Sequence, residues 1–372
     1  MNLELTDEQV ALRDTTRRFV AEKASISDHV RPLLDDPTGT DASVWRGLAG
    51  LGVTGLLVPE DCGGAGMTMV EAGIVAEELG AALHPGPWLS TAVAAPRALN
   101  LLGANDTAAK LLRGIADGTT IAAVSFLDLG NASVTAGRRD DGMVLYGEVT
   151  GVPGAAAADV LLAFAVDAGD AGLFAVPKGS PGVSVAAEPG IDPTRKHFRV
   201  AFDAAPARRL GPASAQQIAA VIDDVLIAAA ADALGAARAV MDLAIEYAKT
   251  RTQFGQPIGS FQAVQHLCVD MYETVELARS GVIHALWASD ALPGTDGQSG
   301  ERHLAALRAK AFAGRLAAVA DTAIQVFGGI GYTWEHDAHL YLKRLLGWSA
   351  FLDAPDRYLT EIGAHLAKRG RH

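Results

Sequence analysis

The sequence predicts an α+β, mainly helical chain in three parts. A helical N-terminal part (residues 1–118) precedes a small β part (119–209), and a four-helix bundle (210–372) closes the chain. Two observations carry this prediction. Apolar residues recur at helical spacing in the first and last thirds, but in short β-branched runs in the middle. Gly, Pro and Asp punctuate that middle third at strand-and-turn intervals.

In chain order, Thr6 and Gln9 in "LTDEQ" form a capping box that opens the first helix, and Val10, Phe19 and Val20 supply its apolar face. "VPEDCGGAGMT" is a loop. "MVEAGIVAEELGAAL" restarts a helix that stops at "LHPGPWLS". The runs "TIAAVSFLDLG", "DVLLAFAVD", "AGLFAVPKG" and "HFRVAFDAAP" read as strands, and "RRDDGMVLYGEV" reads as a hairpin turning at Asp141-Gly142. Beyond residue 213, Val264, Cys268, Met271, Val275, Ala278 and Val282 make one apolar stripe on a long helix. "ALPGTDGQSG" ends that helix, and "ERHLAALRAKAFAGRLAAVADTAIQVF" makes another of similar length. Long antiparallel helices with short links imply a bundle of the kind that also oligomerises.

Composition removes several function classes. Lys+Arg of 31 against Asp+Glu of 43 gives a net charge of −12, so nothing neutralises phosphates in bulk and a nucleic-acid partner is not expected. Two cysteines without a CxxC motif support neither a disulfide framework nor a zinc site. The charged N-terminus is no signal peptide, and "VLIAAAADALGAARAV" is broken by Asp232 and Arg238, so it reads as a buried helix and not a membrane span. A cytoplasmic protein is expected. Glu335, His336, Asp337 and His339 are too close in sequence to converge on a metal from one helix, so no metal is expected.

The most specific run is "YAKTRTQFGQPIGSFQAVQH". A helix ends near Thr250, a Gly/Pro turn carries Arg251, Gln253 and Phe254, and a new helix opens with Ser260 as its N-cap. An Arg fork beside a helix N-terminus suits a diphosphate.

Here the chain resembles the acyl-CoA dehydrogenase family, along essentially its whole length. "LGVTGLLVPEDCGGAGMTMVEAGIVAEELGAAL" is similar to the family's N-terminal signature, and "DPTRKHFRVAFDAAP" to the close of its β domain. "RTQFGQPIGSFQAVQH" and "QVFGGIGYTWEHD" are similar to its two flavin motifs. The resemblance implies FAD at a subunit interface of a tetramer, an acyl-CoA substrate, and an electron-transfer flavoprotein or other acceptor. It also implies that Arg251 meets the FAD diphosphate, with Phe254, Ile258 and Gln262 lining the dinucleotide. Gln325, Gly328 and Gly329 then pass its adenosine side.

The middle part departs from the family pattern. In place of the "TEPGAGSD"-like loop stands "SFLDLGNASVTA", where Ser125, Asn131 and Ser133 keep some hydrogen-bonding capacity. In place of the aromatic-Ile-Thr-Asn strand stands "EVTGVPGAAAADVLLAFA".

The family's chemistry needs a carboxylate across the substrate from the flavin. The position that carries it in many members is Leu352 here, with Asp353 one residue late; Asp353 in "DAPD" also reads as a helix N-cap. Other members place the base at the position of Val225, beside Asp223 and Asp224, which read as a solvated first helical turn. Asp232 shares the Val225 face and is either a base or a core acid paired with Arg238 or another chain. Three functions stay open: a self-sufficient dehydrogenase, a flavin-completing subunit of a heteromeric one, or a non-enzymatic acyl-CoA-binding protein on the same fold. The "YTWEHDAHLYL" segment resembles the actinobacterial branch, where α2β2 pairs act on bulky steroid side-chain thioesters.

Overall fold

The computed structural model describes residues 4–101, 106–125, 133–140, 142–291 and 296–369. The first six helices are α1 (Asp7–Lys23), α2 (Arg31–Leu33), α3 (Ala42–Gly50), α4 (Met69–Ala81), α5 (Ala95–Leu101) and α6 (Asp106–Ala116). The capping box forms as expected: the Thr6 hydroxyl accepts from the Gln9 N–H, and the Gln9 side chain accepts from the Thr6 N–H.

Seven strands follow: β1 (Ala122–Ser125), β2 (Val134–Arg139), β3 (Gly142–Pro153), β4 (Val160–Asp167), β5 (Asp170–Pro177), β6 (Val183–Glu188) and β7 (His197–Pro212). They pair in the order β1-β4-β2-β3-β7-β5, and β5 also pairs with β4, so the sheet closes on itself. Alternating inward residues, among them Leu145, Val149, Leu161, Phe174, Phe198 and Val200, fill the closed sheet. β2 and β3 make the expected hairpin, with Arg139 opposite Gly142; Asp141 lies outside the described residues.

The last third is helical, apart from the two-residue strands β8 (Thr252–Gln253) and β9 (Gln256–Pro257). Its helices are α7 (Ala215–Thr250), α8 (Gln262–Ala291), α9 (Asp296–Ala313), α10 (Leu316–Phe327), α11 (Ala338–Ala350) and α12 (Pro355–Arg369). The expected single helix through residues 301–327 is broken between α9 and α10. A Cβ at Gly314 would come within 2.4 Å of Pro355 Cγ, so α12 presses against that break. α8 starts at Gln262, after a tight turn, so Ser260 is not its N-cap; the Ser260 hydroxyl donates to the Pro257 carbonyl instead.

α7 runs through the centre. Its alanine run, Ala228 to Ala231, is fully buried, and it crosses α4 at backbone contact. A Cβ at Gly80 would lie 1.9 Å from the Asp232 carbonyl oxygen, and one at Gly235 would lie 1.8 Å from that of Glu77. Only glycine permits this approach. No helix among the described residues is long and apolar enough to cross a membrane.

Candidate functional site

At the end of α7 the Arg251 N–H closes the last turn onto Tyr247 O at 2.8 Å, and the chain folds into the β8–β9 ribbon. Phe254 (φ 56°) and Gly255 (φ 81°) occupy the centre of that turn. Two positive-φ residues in a two-residue turn match the right-handed twist of a hairpin. Glycine adopts this conformation freely; a Phe there is an outlier that calls for a function. The Phe254 ring is 91% exposed and is met edge-on by Phe261 at 6.1 Å. Arg251, Gln253 and Gln262 are exposed and Ile258 is half-buried beneath them. The Arg251 guanidinium makes no ion pair among the described residues.

The second corner lies alongside. Tyr247 packs at 5.2 Å on Phe327, the residue before Gly328. Gln325, Gly328 and Gly329 are exposed, and a Cβ built on either glycine would meet nothing within 4 Å. The eight residues that sequence reasoning named thus gather at one end of the bundle and face outward. The donors and open glycine backbone fit an anionic dinucleotide approaching from outside this chain.

A cavity of about 390 Å³ opens between Thr150 and Val152 of β3, Asp192 and His197, and Phe351 and Leu352. Its β3 wall offers Thr150, Gly151 and Val152 and no aromatic plate. Ser125 is buried and its hydroxyl has no hydrogen-bond partner among the described residues, Ser133 is exposed, and Asn131 lies outside the described residues. Burial holds the His197 imidazole below its ordinary pKa.

Leu352 (φ 52°) and Asp353 (φ 100°) follow α11 in consecutive positive-φ conformations. The Asp353 carboxylate accepts from the Ala354 N–H at 2.7 Å and pairs with Arg357 at 2.7 Å, which holds it below the usual carboxylate range. It sits two residues before α12, one place short of the N-cap position, and is exposed.

The turn is braced by a group that sequence reasoning missed. Lys310 is fully buried and donates to the carbonyls of Trp348 (2.7 Å), Ser349 (3.2 Å) and Phe351 (2.8 Å), with its ammonium 4.0 Å from the centre of the Trp348 ring. Burial pushes its pKa down to about 7. The Tyr358 hydroxyl donates to the Leu352 carbonyl. The signal available in the sequence was a lysine among alanines in "LAALRAKAFAG", two residues after Arg308.

Asp232 is buried, but its partners are not those expected. One oxygen lies 2.5 Å from Arg195 and the other 3.5 Å from Arg344. Arg238 turns instead to Glu77 and Glu78, both at 3.1 Å. Asp223 and Asp224 are not a solvated first turn: α7 starts earlier, at Ala215, and both acids are buried. Asp224 is held by Arg97, Arg302 and Ser289, and Asp223 by His303 at 2.9 Å. Val225 is buried in the core. The His336 ring packs tilted against Phe327 at 4.3 Å and accepts from the Ala338 N–H, and the described residues contain no cluster of three metal-ligating side chains.

Comparison with known proteins shows the family and the fold. The N-terminal domain model of acyl-CoA dehydrogenases matches residues 6–119, and their C-terminal domain model matches residues 222–350. The chain is 33% identical over 359 residues to the acyl-CoA dehydrogenase IpdE2 of Mycobacterium tuberculosis, covering 96% of each protein. It is 37% identical over 375 residues to the acyl-CoA dehydrogenase FadE34 of the same organism, where 97% of this chain covers 48% of the relative. Its structure superimposes on a chain of the ChsE4–ChsE5 complex from M. tuberculosis with a TM-score of 0.88, at 27% identity and 99% coverage of both chains.

Proposed function

The chain belongs to the acyl-CoA dehydrogenase family, and from that premise we propose that it is the flavin-completing, catalytically degraded subunit of a heteromeric acyl-CoA dehydrogenase. The family's cofactor is FAD. One contrast carries the reading. The Arg251–Phe254 and Gln325–Gly329 corners are whole and face outward, while the β3 wall of the cavity beside Leu352 offers no aromatic, and Leu352 stands where many members carry the carboxylate.

In this reading Arg251 holds the diphosphate of a neighbour's FAD bidentately, which a lysine could do only as a point charge. Phe254 covers the dinucleotide with its exposed ring, and Gln253 and Gln262 donate to it. Gly328 and Gly329 let backbone approach its adenosine end. When bound, FAD would supply the hydride acceptor for oxidising an acyl-CoA to its trans-2-enoyl-CoA. The α-proton goes to a carboxylate of the partner, because Leu352 has no proton-accepting group and Asp353 is turned toward Arg357. A bulky acyl thioester such as a steroid side chain is the substrate class we assign to the complex. The final acceptor is an electron-transfer flavoprotein or an equivalent carrier.

The cavity of about 390 Å³ beside Leu352 favours a second reading, a self-sufficient homotetrameric dehydrogenase with a relocated base. Counting FAD per chain separates the two. The chain is purified alone and after co-expression with the adjacent open reading frame. One flavin per pair, retained only with the partner, is expected. One flavin per chain when alone, bleached by a saturated acyl-CoA, would overturn the heteromer reading.

A further inference from the structure

The resemblance puts the proton-abstracting carboxylate at the position of Leu352 in many members and at that of Val225 in others. An acyl α-carbon within reach of both must lie between the Phe351–Leu352 turn and the α7 face that carries Val225, Ala228 and Asp232. In this chain that space is occupied. Arg195 enters from the loop between β6 and β7, and Leu89 from the wide helical turn at Leu89–Ala94. Beyond the cavity of about 390 Å³ on the β3 side of Leu352, what remains toward α7 is a gap of about 30 Å³ between Leu89, Arg195 and Phe351 and another of about 20 Å³ between Leu89, Arg195, Ala228 and Asp232. Either has room for a water but not for an acyl chain.

We propose that the buried cluster of Arg195, Asp232, Arg344 and Asp192 is a plug that closes this chain's own acyl chamber, so that the thioester is bound by the partner subunit alone. The inference rests on the heteromer reading above and deepens it. Arg195 meets one oxygen of Asp232 at 2.5 Å, and Arg344 faces the other at 3.5 Å and Asp192 at 3.6 Å. The Arg344 guanidinium also donates to the His84 carbonyl at 2.8 Å. Burial, His29 and the two arginines push His84 down to about 3, so it stays neutral and the cluster holds two positive and two negative charges. A charge-balanced cluster needs no ligand to complete it. It also ties together four segments: the end of α4 through His84, the β6–β7 loop, α7 and α11. A plug so anchored does not swing aside, because breaking either ion pair strands a buried charge.

The test is equilibrium dialysis with octanoyl-CoA, on the chain alone and on the co-purified complex. The wild-type chain alone should bind none at millimolar ligand, and the complex one per pair. The double variant Arg195→Ala/Asp232→Ala removes one charge of each sign and leaves Arg344 with Asp192. Alone, it should bind octanoyl-CoA at least about tenfold more tightly than wild type. The uncharged Arg195→Gln/Asp232→Asn, which keeps most of the side-chain volume, should bind far less than the alanine variant, which separates filling from charge. One equivalent bound by the wild-type chain alone, two per pair in the complex, or a folded alanine variant no tighter than wild type would each overturn the plug. The wild-type measurements need no variant to fold. A lone chain that holds FAD but no thioester overturns the heteromer reading and leaves the plug standing. A lone chain that holds thioester but no FAD does the reverse.

Discussion

Phe254 and Arg251 show how much one residue can report when its neighbours leave it unsatisfied. A Phe at φ 56° has a backbone conformation that costs energy and a ring that gains nothing from its own chain. Arg251, close by, likewise finds no anion among the described residues. Both are explained if the ligand comes from outside. Arg251→Ala should therefore lower FAD retention in the purified complex more than Arg251→Lys, and both should lower it. Flavin absorbance per mole of complex reads this directly; unchanged absorbance in both variants would refute the assignment. These residues were legible in the sequence because a local Gly/Pro turn holds them. Asp232 was not: its environment is made by Arg195 and Arg344, which arrive from the β part and from α11, and no periodicity reports such a meeting. Asp223 and Asp224 were misread for the same reason, since Arg97, Arg302 and His303 come from α5 and α9.

Among the elements, α11 and α12 are held by groups that titrate. The carbonyls at the end of α11 lack the full set of intrahelical partners, and within the core Lys310 donates to those of Trp348 and Ser349 and to that of Phe351 just beyond the helix. Lys310→Met keeps much of the volume but leaves those acceptors dry. It should cost on the order of 3 kcal/mol in denaturant unfolding, and a loss below about 1 kcal/mol would mean that water takes over the role. α12 is tied through His303, which bridges Asp223 and, at 3.0 Å, Glu361. The Asp223 hydrogen bond is the main cause that raises His303 to about 9, whereas burial raises Asp223 to about 6. A histidine whose pKa rises on folding stabilises fully below its unfolded value near 6.5 and loses that contribution as pH climbs through about 9. The melting temperature of wild type should thus fall more between pH 6.5 and 9.5 than that of His303→Gln. Lys310 titrates in both proteins and cancels in the difference; parallel curves would show that the bridge carries no charge. The helices and strands themselves were legible from apolar periodicity, including the α8 stripe through Met271, Val275, Ala278 and Val282, all buried. The break at Gly314 was not, because it depends on Pro355 pressing from another helix.

For the whole molecule, the three-part order α, β, α was readable because each part keeps its own period. The closed form of the sheet and the backbone crossing at Gly80 and Gly235 were not, since both depend on segments far apart in sequence. The bundle end and the outer face of α8 also leave large apolar side chains in solvent: Phe254, Val269, Tyr272, Leu277, Tyr332 and Trp334. A stand-alone globule seldom displays so many. Such a surface has a consequence for the cell as well as for the reaction. In the heteromer proposed above, a copy made without its counterpart would offer chaperones and proteases a sticky, recognisable face that assembly hides. Surplus copies would then be cleared while assembled ones persist, so turnover, and not only synthesis, would set the ratio of the two subunits.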